Sequence, residues 1–170
     1  MTETLELYIP KPEDGRFYVQ MMSDPETMAY NAPWFPPDGC IPEAEQEWKR
    51  LSSDWIGHEP ERFYAYLRRT ADGAFVGDVN FHYTPARDWW DMGIVIYAPE
   101  RGKGYGKAMI LAALECAKAN GWKHVHLTTY NILTVARRMY ASCGFTCTGE
   151  APADWITSQQ ILEETWERDL

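Results

Sequence analysis

The chain has 170 residues, 45% of them apolar and 24% charged, and a formal net charge of −9. That length suits one α/β domain with a sizeable core and leaves no room for a second, so residues 1–170 are read as a single domain. The acidic balance and the lack of a basic stripe exclude a nucleic-acid binder, and no apolar run approaches the roughly 18 residues that a membrane span needs.

Leu5, Leu7 and Ile9 alternate with polar residues, so residues 4–9 read as a first strand. Residues 13–22 have the spacing of a short helix, and a loop rich in Pro, Trp and Gly follows at 31–42. Helical spacing resumes over 43–57, with Trp48, Leu51 and Trp55 on one face. Residues 62–69 read as a strand, and the Ala71-Asp72-Gly73 turn leads into a second at 75–83, a hairpin signal. A turn at Pro85–Asp88 precedes a strand over 90–97. A glycine-rich bend spans 101–106, and a helix runs from 105 to about 119, where Gly121 ends it. Then come a strand at 123–130, a helix at 133–143 stopped by Gly144, and strands at 145–149 and 161–170. The order predicts an α/β (α+β) fold: a central mixed, mostly antiparallel sheet of about seven strands, flanked on both faces by about four helices.

The segment APERGKGYGKAMI, residues 98–110, carries the chemistry. A strand ends, glycines follow at alternate positions (Gly102, Gly104, Gly106), and a helix opens. Glycine lets the backbone adopt positive φ and approach a ligand closely. The free N–H groups at a helix start, with the positive end of its dipole, make a pyrophosphate site. Arg101, Lys103 and Lys107 add charge beside it. The segment is not a nucleotide P-loop: Arg101 stands five residues before Gly106-Lys107, and Ala108 follows where Ser or Thr is needed. Nor is it a dinucleotide fingerprint, since the pattern is GxGxG and lies far from the start of the chain.

Arg101, Gly104 and Gly106 match the Arg/Gln-x-x-Gly-x-Gly/Ala loop of the GNAT superfamily of N-acetyltransferases, and the chain resembles that family over about residues 75–150. Tyr140-Ala-Ser-Cys-Gly144-Phe145 is similar to the family's Tyr-x-x-x-Gly-Phe. The resemblance implies the GNAT fold, acetyl-CoA as co-substrate and no metal. It also implies an N-acetyltransferase in which a primary amine attacks the thioester directly in a ternary complex. Tyr140 would be the general acid that protonates the departing thiolate. The backbone of Ile94, Val95 and Ile96 would pair with the pantetheine arm, and Arg101, Gly102, Lys103, Gly104, Tyr105, Gly106 and Lys107 would hold the pyrophosphate. An alternative within the same fold is a non-catalytic acyl-CoA sensor, against which Tyr140 speaks, because a sensor needs no acid.

The chain departs from the family's pattern in two places. Many members carry an Asn seven residues before the tyrosine; that position is Leu133, and Asn131, two residues earlier, is the substitute candidate for contact with CoA. The strand HVHLTTY has no carboxylate, so a base must come from elsewhere. Asp91, in Trp90-Asp91-Met92-Gly93, holds the place of a Glu in many members and is the candidate, with His82 as the second, since its ordinary pKa of about 6.5 suits the task. His124 and His126 share a strand face but lack further ligands nearby, so a metal pair is not expected. Trp34-Phe35 and Trp89-Trp90 could line an acceptor pocket or fill core.

Glu43, Glu45, Glu47, Asp54, Glu59 and Glu61 make the N-terminal half acidic, which favours a cationic acceptor, whether a small molecule or a peptide amine. A homodimer is left open. The opening MTETLELYIP lacks a signal core, and none of Cys40, Cys116, Cys143 and Cys147 forms a CxxC pair, so a reducing cytoplasm is expected.

Overall fold

The computed structural model describes residues 4–59, 61–153 and 161–170. The strands are Leu5–Tyr8 (β1), Arg62–Arg69 (β2), Phe75–Thr84 (β3), Trp89–Ile96 (β4), His124–Tyr130 (β5), Thr146–Pro152 (β6) and Leu162–Asp169 (β7). The α-helices are Gly15–Met22 (α1), Pro25–Met28 (α2), Ala44–Asp54 (α3), Tyr105–Ala119 (α4) and Thr134–Ser142 (α5). They form one seven-stranded sheet in the order β1-β2-β3-β4-β5-β7-β6, the mixed α+β architecture that the element order predicts.

The element that local spacing does not announce is α2, a single turn. Pro25 opens it with a preset φ, and the Asp24 side chain accepts the Thr27 N–H at 3.0 Å. The expected helix at 13–22 begins as a 3-10 turn, Pro12–Asp14, and becomes α only at Gly15. Gly15 is there for packing: a Cβ would lie 2.2 Å from the Trp48 ring, so glycine lets α1 close onto α3.

Pleating divides the sheet into two unlike faces. One face turns Phe63, Ala65, Leu67, Val79, Phe81 and Met92 onto Met109, Ile110 and Leu114 of α4. Each such side chain, fully buried, stabilises by roughly 1.5–3 kcal/mol. The other face meets α1 and α3 and is aromatic, built on Tyr18, Trp48, Tyr64 and Tyr66. Phenols bring hydroxyls that must be satisfied when buried. Tyr64 donates to Asp78 Oδ2 at 2.5 Å, and Tyr66 to the Asp14 carbonyl at 3.4 Å.

β4 and β5 are the one parallel pair, and their ladder covers only Trp90↔Val125 and Asp91↔His126. β5 then continues with β7 as far as Tyr130↔Glu163, while β4 stays with β3. Ile94–Ile96 therefore has an edge without a strand partner, and the sheet opens there. Stacking of Trp90 on Trp122, with centroids 3.7 Å apart, closes the joined end. Among the described residues, no helix is long and apolar enough to cross a membrane.

Candidate active site

β4 leads from the open edge through a 3-10 turn, Ala98–Glu100, into the glycine loop and α4. Gly102 and Gly104 have φ of 78° and 85°, and a Cβ on either would meet nothing within 4 Å. The loop thus presents bare main chain to open space, in a conformation that L side chains rarely adopt. No side chain caps α4, and the first bond of its ladder runs from the Ala108 N–H to the Gly104 carbonyl. The amides ahead of that bond lie at the positive end of the helix dipole. Gly106 serves packing, since a Cβ there would sit 2.6 Å from Met139 Sδ and 3.6 Å from Ile96 Cγ1. That contact draws the start of α4, the end of β4 and α5 together. Lys107 is exposed on the first turn, and Lys103 pairs with Glu100 at 2.8 Å.

The Arg101 guanidinium donates to the carbonyls of Ile96, Glu26 and Thr27, at 3.2, 3.1 and 2.8 Å. Thr27 reciprocates, its Oγ1 accepting the Ala98 N–H at 2.9 Å. The pair fastens the exit of β4 to α2, so the Arg of the loop motif shapes the turn by holding main chain.

Asn131 is also committed. Its Oδ1 accepts the Leu162 N–H, and its own N–H donates to the Leu162 carbonyl, both at 3.0 Å. This two-way clasp starts β7 and takes the side-chain oxygen that the sequence offers to CoA.

Tyr140 lies on α5 with 8% of its surface exposed, against the edges of Phe145 and Trp166. Burial, with a smaller contribution from Cys143, pushes its pKa up to about 12. The phenol is therefore protonated at neutral pH, as an acid must be. Among the described residues no hydrogen bond engages its hydroxyl.

Asp91 is held on several sides. Its carboxylate accepts from Thr84 Oγ1 and from His126 Nδ1, and His82 Nε2 stands 3.4 Å away. Burial by itself raises its pKa, but the bonds to His126 and Thr84 prevail, and the net shift is downward. Such a carboxylate is a weaker proton acceptor than an unencumbered one. His82 is shifted down, mainly by burial, and meets the edge of Trp55. His126 also stacks on Trp89 at 3.9 Å, whereas His124 turns to Asp169 at 2.7 Å. The two strand histidines thus serve different partners. Of the candidate aromatics, Trp90 joins the core and Trp34 touches Tyr130.

On the same sheet face a cleft of about 480 Å³ lies between α1, α3 and the 29–42 segment, lined among others by Tyr18, Met28, Tyr30, Phe35, Ile41 and Glu47. Asp78 on β3, 2% exposed, lies within electrostatic reach of Tyr18 and Tyr30, which line the cleft. Burial raises the Tyr30 pKa, and so, in turn, do the charges of Asp78 and Tyr140, which places Tyr30 within electrostatic reach of both. Asp78, Tyr64 and Tyr30 are absent from the sequence reading. The one available signal was an Asp inside an apolar strand, Gly77-Asp78-Val79, where a charge is rarely buried without a task.

The parallel pair parts after two residues, and the glycine turn of bare main chain, the start of α4 without a side-chain cap and α5 with its protonated tyrosine meet at the end of β4. The sequence profile described as the acetyltransferase (GNAT) domain matches residues 4–146, and the chain belongs to that family. Among solved structures, a GNAT-family acetyltransferase from Bacillus anthracis superposes with a TM-score of 0.79 at 17% identity, over 99% of this chain and 96% of that one. Spermidine N-acetyltransferase from Vibrio cholerae, in complex with CoA and spermine, superposes with a TM-score of 0.80 at 17% identity, over 97% and 95%. A phosphinothricin acetyltransferase from Sinorhizobium meliloti, in complex with acetyl-CoA, gives 0.77 at 19% identity, over 100% and 89%. At these identities the likeness is one of fold. A search of curated proteins finds no match.

Proposed function

We propose that the chain transfers the acetyl group of acetyl-CoA to a primary amine, by direct attack within a ternary complex, with Tyr140 as general acid. The observation that carries this reading is the open edge of β4. Where the ladder to β5 stops, Ile94, Val95 and Ile96 have no parallel partner among the described residues, and an extended pantetheine arm would pair along this edge, short of the Ile96 carbonyl that Arg101 already engages. From there the chain runs directly into a loop whose bare backbone suits a pyrophosphate. The residues present fit the co-substrate: Gly102 and Gly104 leave space, Gly106 and Lys107 begin the helix, and the amides precede its ladder. When bound, acetyl-CoA supplies the activated acyl group. Tyr140 donates its proton to the leaving sulfur, and a phenol raised to about 12 holds that proton until a stronger base forms beside it.

A cationic amine is the acceptor class favoured by the cleft. Tyr18, Tyr30, Phe35 and Glu47 are among its lining residues, and Asp78 lies within electrostatic reach of Tyr18 and Tyr30. Rings and carboxylates together attract an ammonium group. Two of the superposed enzymes, by their names, act on an amine or an amino-bearing compound. Incubation with acetyl-CoA and a panel of amines, read by thiol release and by the product's gain of one acetyl group, tests the reading. Release with a cationic amine supports it; hydrolysis alone, or no release with any amine, rejects it.

A further inference from the structure

The buried carboxylate of Asp78 on β3 is not used by the scheme so far. Asp78 Oδ2 accepts the Tyr64 hydroxyl at 2.5 Å, while Oδ1 is buried and has no hydrogen-bond partner among the described residues. An unsatisfied acceptor at such depth is costly, and more so when charged. A catalytic task is one recognised reason for a fold to keep such a group.

Its surroundings can be taken element by element. β2 contributes Tyr64 and Tyr66, α1 contributes Tyr18, a 3-10 turn at Ala29–Asn31 contributes Tyr30, and β4 contributes the Val95 amide. None of these groups is a cation. Burial dominates, and the carboxyl is pushed up to about 7, against the opposing pull of the Tyr64 hydrogen bond and the Val95 amide. Asp91 has the opposite environment, with two imidazoles and a hydroxyl around it.

Position separates them further. Asp78 is the cross-strand partner of Val95, within the open segment of β4, whereas Asp91 lies in the closed part, paired with His126. Four residues of strand separate Asp91 from Val95, roughly 13 Å at about 3.3 Å per residue. Asp78 and Tyr140 are both felt by Tyr30. The carboxylate and the acid are thus both within electrostatic reach of Tyr30, a residue of the cleft wall, and the carboxylate lies across from Val95.

We propose that Asp78, held by Tyr64, is the general base that takes the proton from the acceptor's ammonium group. The assignment rests on the amine-acetylation reading above. The ammonium enters protonated and gives one proton to the carboxylate, leaving Asp78 neutral and the nitrogen with its lone pair. The nitrogen forms the C–N bond at the thioester carbonyl. The C–S bond then breaks, the electron pair leaves on sulfur, and Tyr140 protonates it. The second nitrogen proton, lost as the amide forms, returns the phenol to its neutral state. Asp78 releases its proton to solvent, so one proton is produced per acetylation. The orphaned Oδ1 is the oxygen that an incoming ammonium satisfies.

The test measures kcat against pH with acetyl-CoA and saturating spermidine, with benzylamine and a lysyl peptide as parallel probes. kcat is chosen because its pH profile reports groups in the enzyme–substrate complex. The wild type should lose activity on the acid side with one group titrating. Asp78→Asn should lower kcat on the order of 10²-fold and abolish that acid limb. Its acetyl-CoA affinity should stay near that of the wild type, and it should melt no lower than the wild type. Asp78→Glu should restore part of the rate and the limb. Tyr64→Phe removes a hydrogen bond that favours the carboxylate, so it should move the limb to higher pH, a displacement that a purely structural tyrosine does not cause. An Asp78→Asn enzyme within threefold of the wild type, with the same limb, overturns the assignment while leaving amine acetylation standing. Should Asp78→Asn not fold, an unmoved limb in Tyr64→Phe overturns it equally. A wild type that acetylates none of the probes removes the reading and the base with it.

Discussion

Along β4 and the start of α4, the candidate co-substrate surface is made of main chain. Gly102 and Gly104 carry no side chain, α4 opens without a side-chain cap, and Ile94–Ile96 lies beyond the end of the ladder to β5. Even the arginine of the loop spends its guanidinium on carbonyls. Around α1 and β3 the surface is made of side chains: Tyr18 and Tyr30 line the cleft, Tyr64 and Asp78 are a buried pair within electrostatic reach of them, and Asp91 lies on β4. Main chain recognises what every member of a class shares, and it needs only shape and a dipole. Side chains set proton affinity and choice of amine, and they are free to vary. Each prediction below strikes one side and requires the other to stay still.

The largest expected effect concerns the two aspartates and the pH dependence of stability. Asp78 has a folded pKa of about 7, above the unfolded value of about 3.9. Its contribution is fully present below that unfolded value and is lost as pH rises towards 7. Asp78→Asn should therefore gain stability relative to the wild type between pH 4 and 7, by on the order of 1–4 kcal/mol. Asp91 is shifted down, so its contribution is present above the unfolded value and is lost as pH falls through its lowered pKa. Asp91→Asn should be less stable than the wild type at neutral pH, and the gap should close in acid. Denaturant melts of the two variants across pH check this. Parallel curves would show that the two environments do not differ as described.

The same contrast explains what the sequence tells. The glycine loop is legible because its reasons are local: alternate glycines after a strand and before a helix mean one conformation. Tyr140 is legible through its fixed distance from Gly144 and Phe145. The seven strands follow from alternation, with ends displaced by a few residues at most, β6 running on to Pro152. The tyrosine side is hidden because its partners are far apart in the chain. Asp78 meets Tyr64 across 14 residues, and Arg101 reaches Thr27 across 74. Asp91 was legible as a carboxylate on a strand; that Thr84, His126 and His82 surround it was not.

Next in size is the tyrosine between the two sides. Tyr140→Phe keeps the ring against Phe145 and Trp166 and removes one proton. A fall in kcat on the order of 10²-fold is expected, with the affinity for acetyl-CoA and the acceptor KM unchanged. Single-turnover kinetics keep product release out of the measurement. A KM change without a kcat change would move Tyr140 from proton donor to part of the acceptor wall.

A smaller effect is expected from the loop. Gly104→Val sets a branched side chain where bare backbone faces open space, and affinity for acetyl-CoA should fall about tenfold, near 1.4 kcal/mol. The substitution also carries strain of about 1–2 kcal/mol, since φ is positive, so it needs a control. Gly121 at the far end of α4 has φ of 75° and equally open surroundings. Gly121→Val should lose similar melting temperature and keep its acetyl-CoA affinity. Equal affinity loss in both would assign the effect to strain and deny the loop its ligand.

The smallest effect tests whether the acidic surface recruits the acceptor. The chain carries −9 overall, and Glu47 lines the cleft, but that carboxylate is already paired with Arg50. Its field is thus partly cancelled before any substrate arrives, and exposed pairs of this kind are worth about 0–1 kcal/mol. What remains is screened, since the Debye length is about 10 Å at 0.1 M salt. A cationic acceptor should therefore show a KM that rises only about two- to threefold between low and high salt. Turnover at saturation should hold, because Asp78 and Tyr140 sit too deep for salt to reach. Glu47→Gln should raise the same KM at low salt and flatten its salt response, with acetyl-CoA affinity unaltered. A neutral amine of the same size supplies the reference, and its KM should ignore both salt and Glu47. If the neutral amine responds like the charged one, salt acts on the protein and not on the encounter. Choice of acceptor would then belong to the buried tyrosines and Asp78 alone.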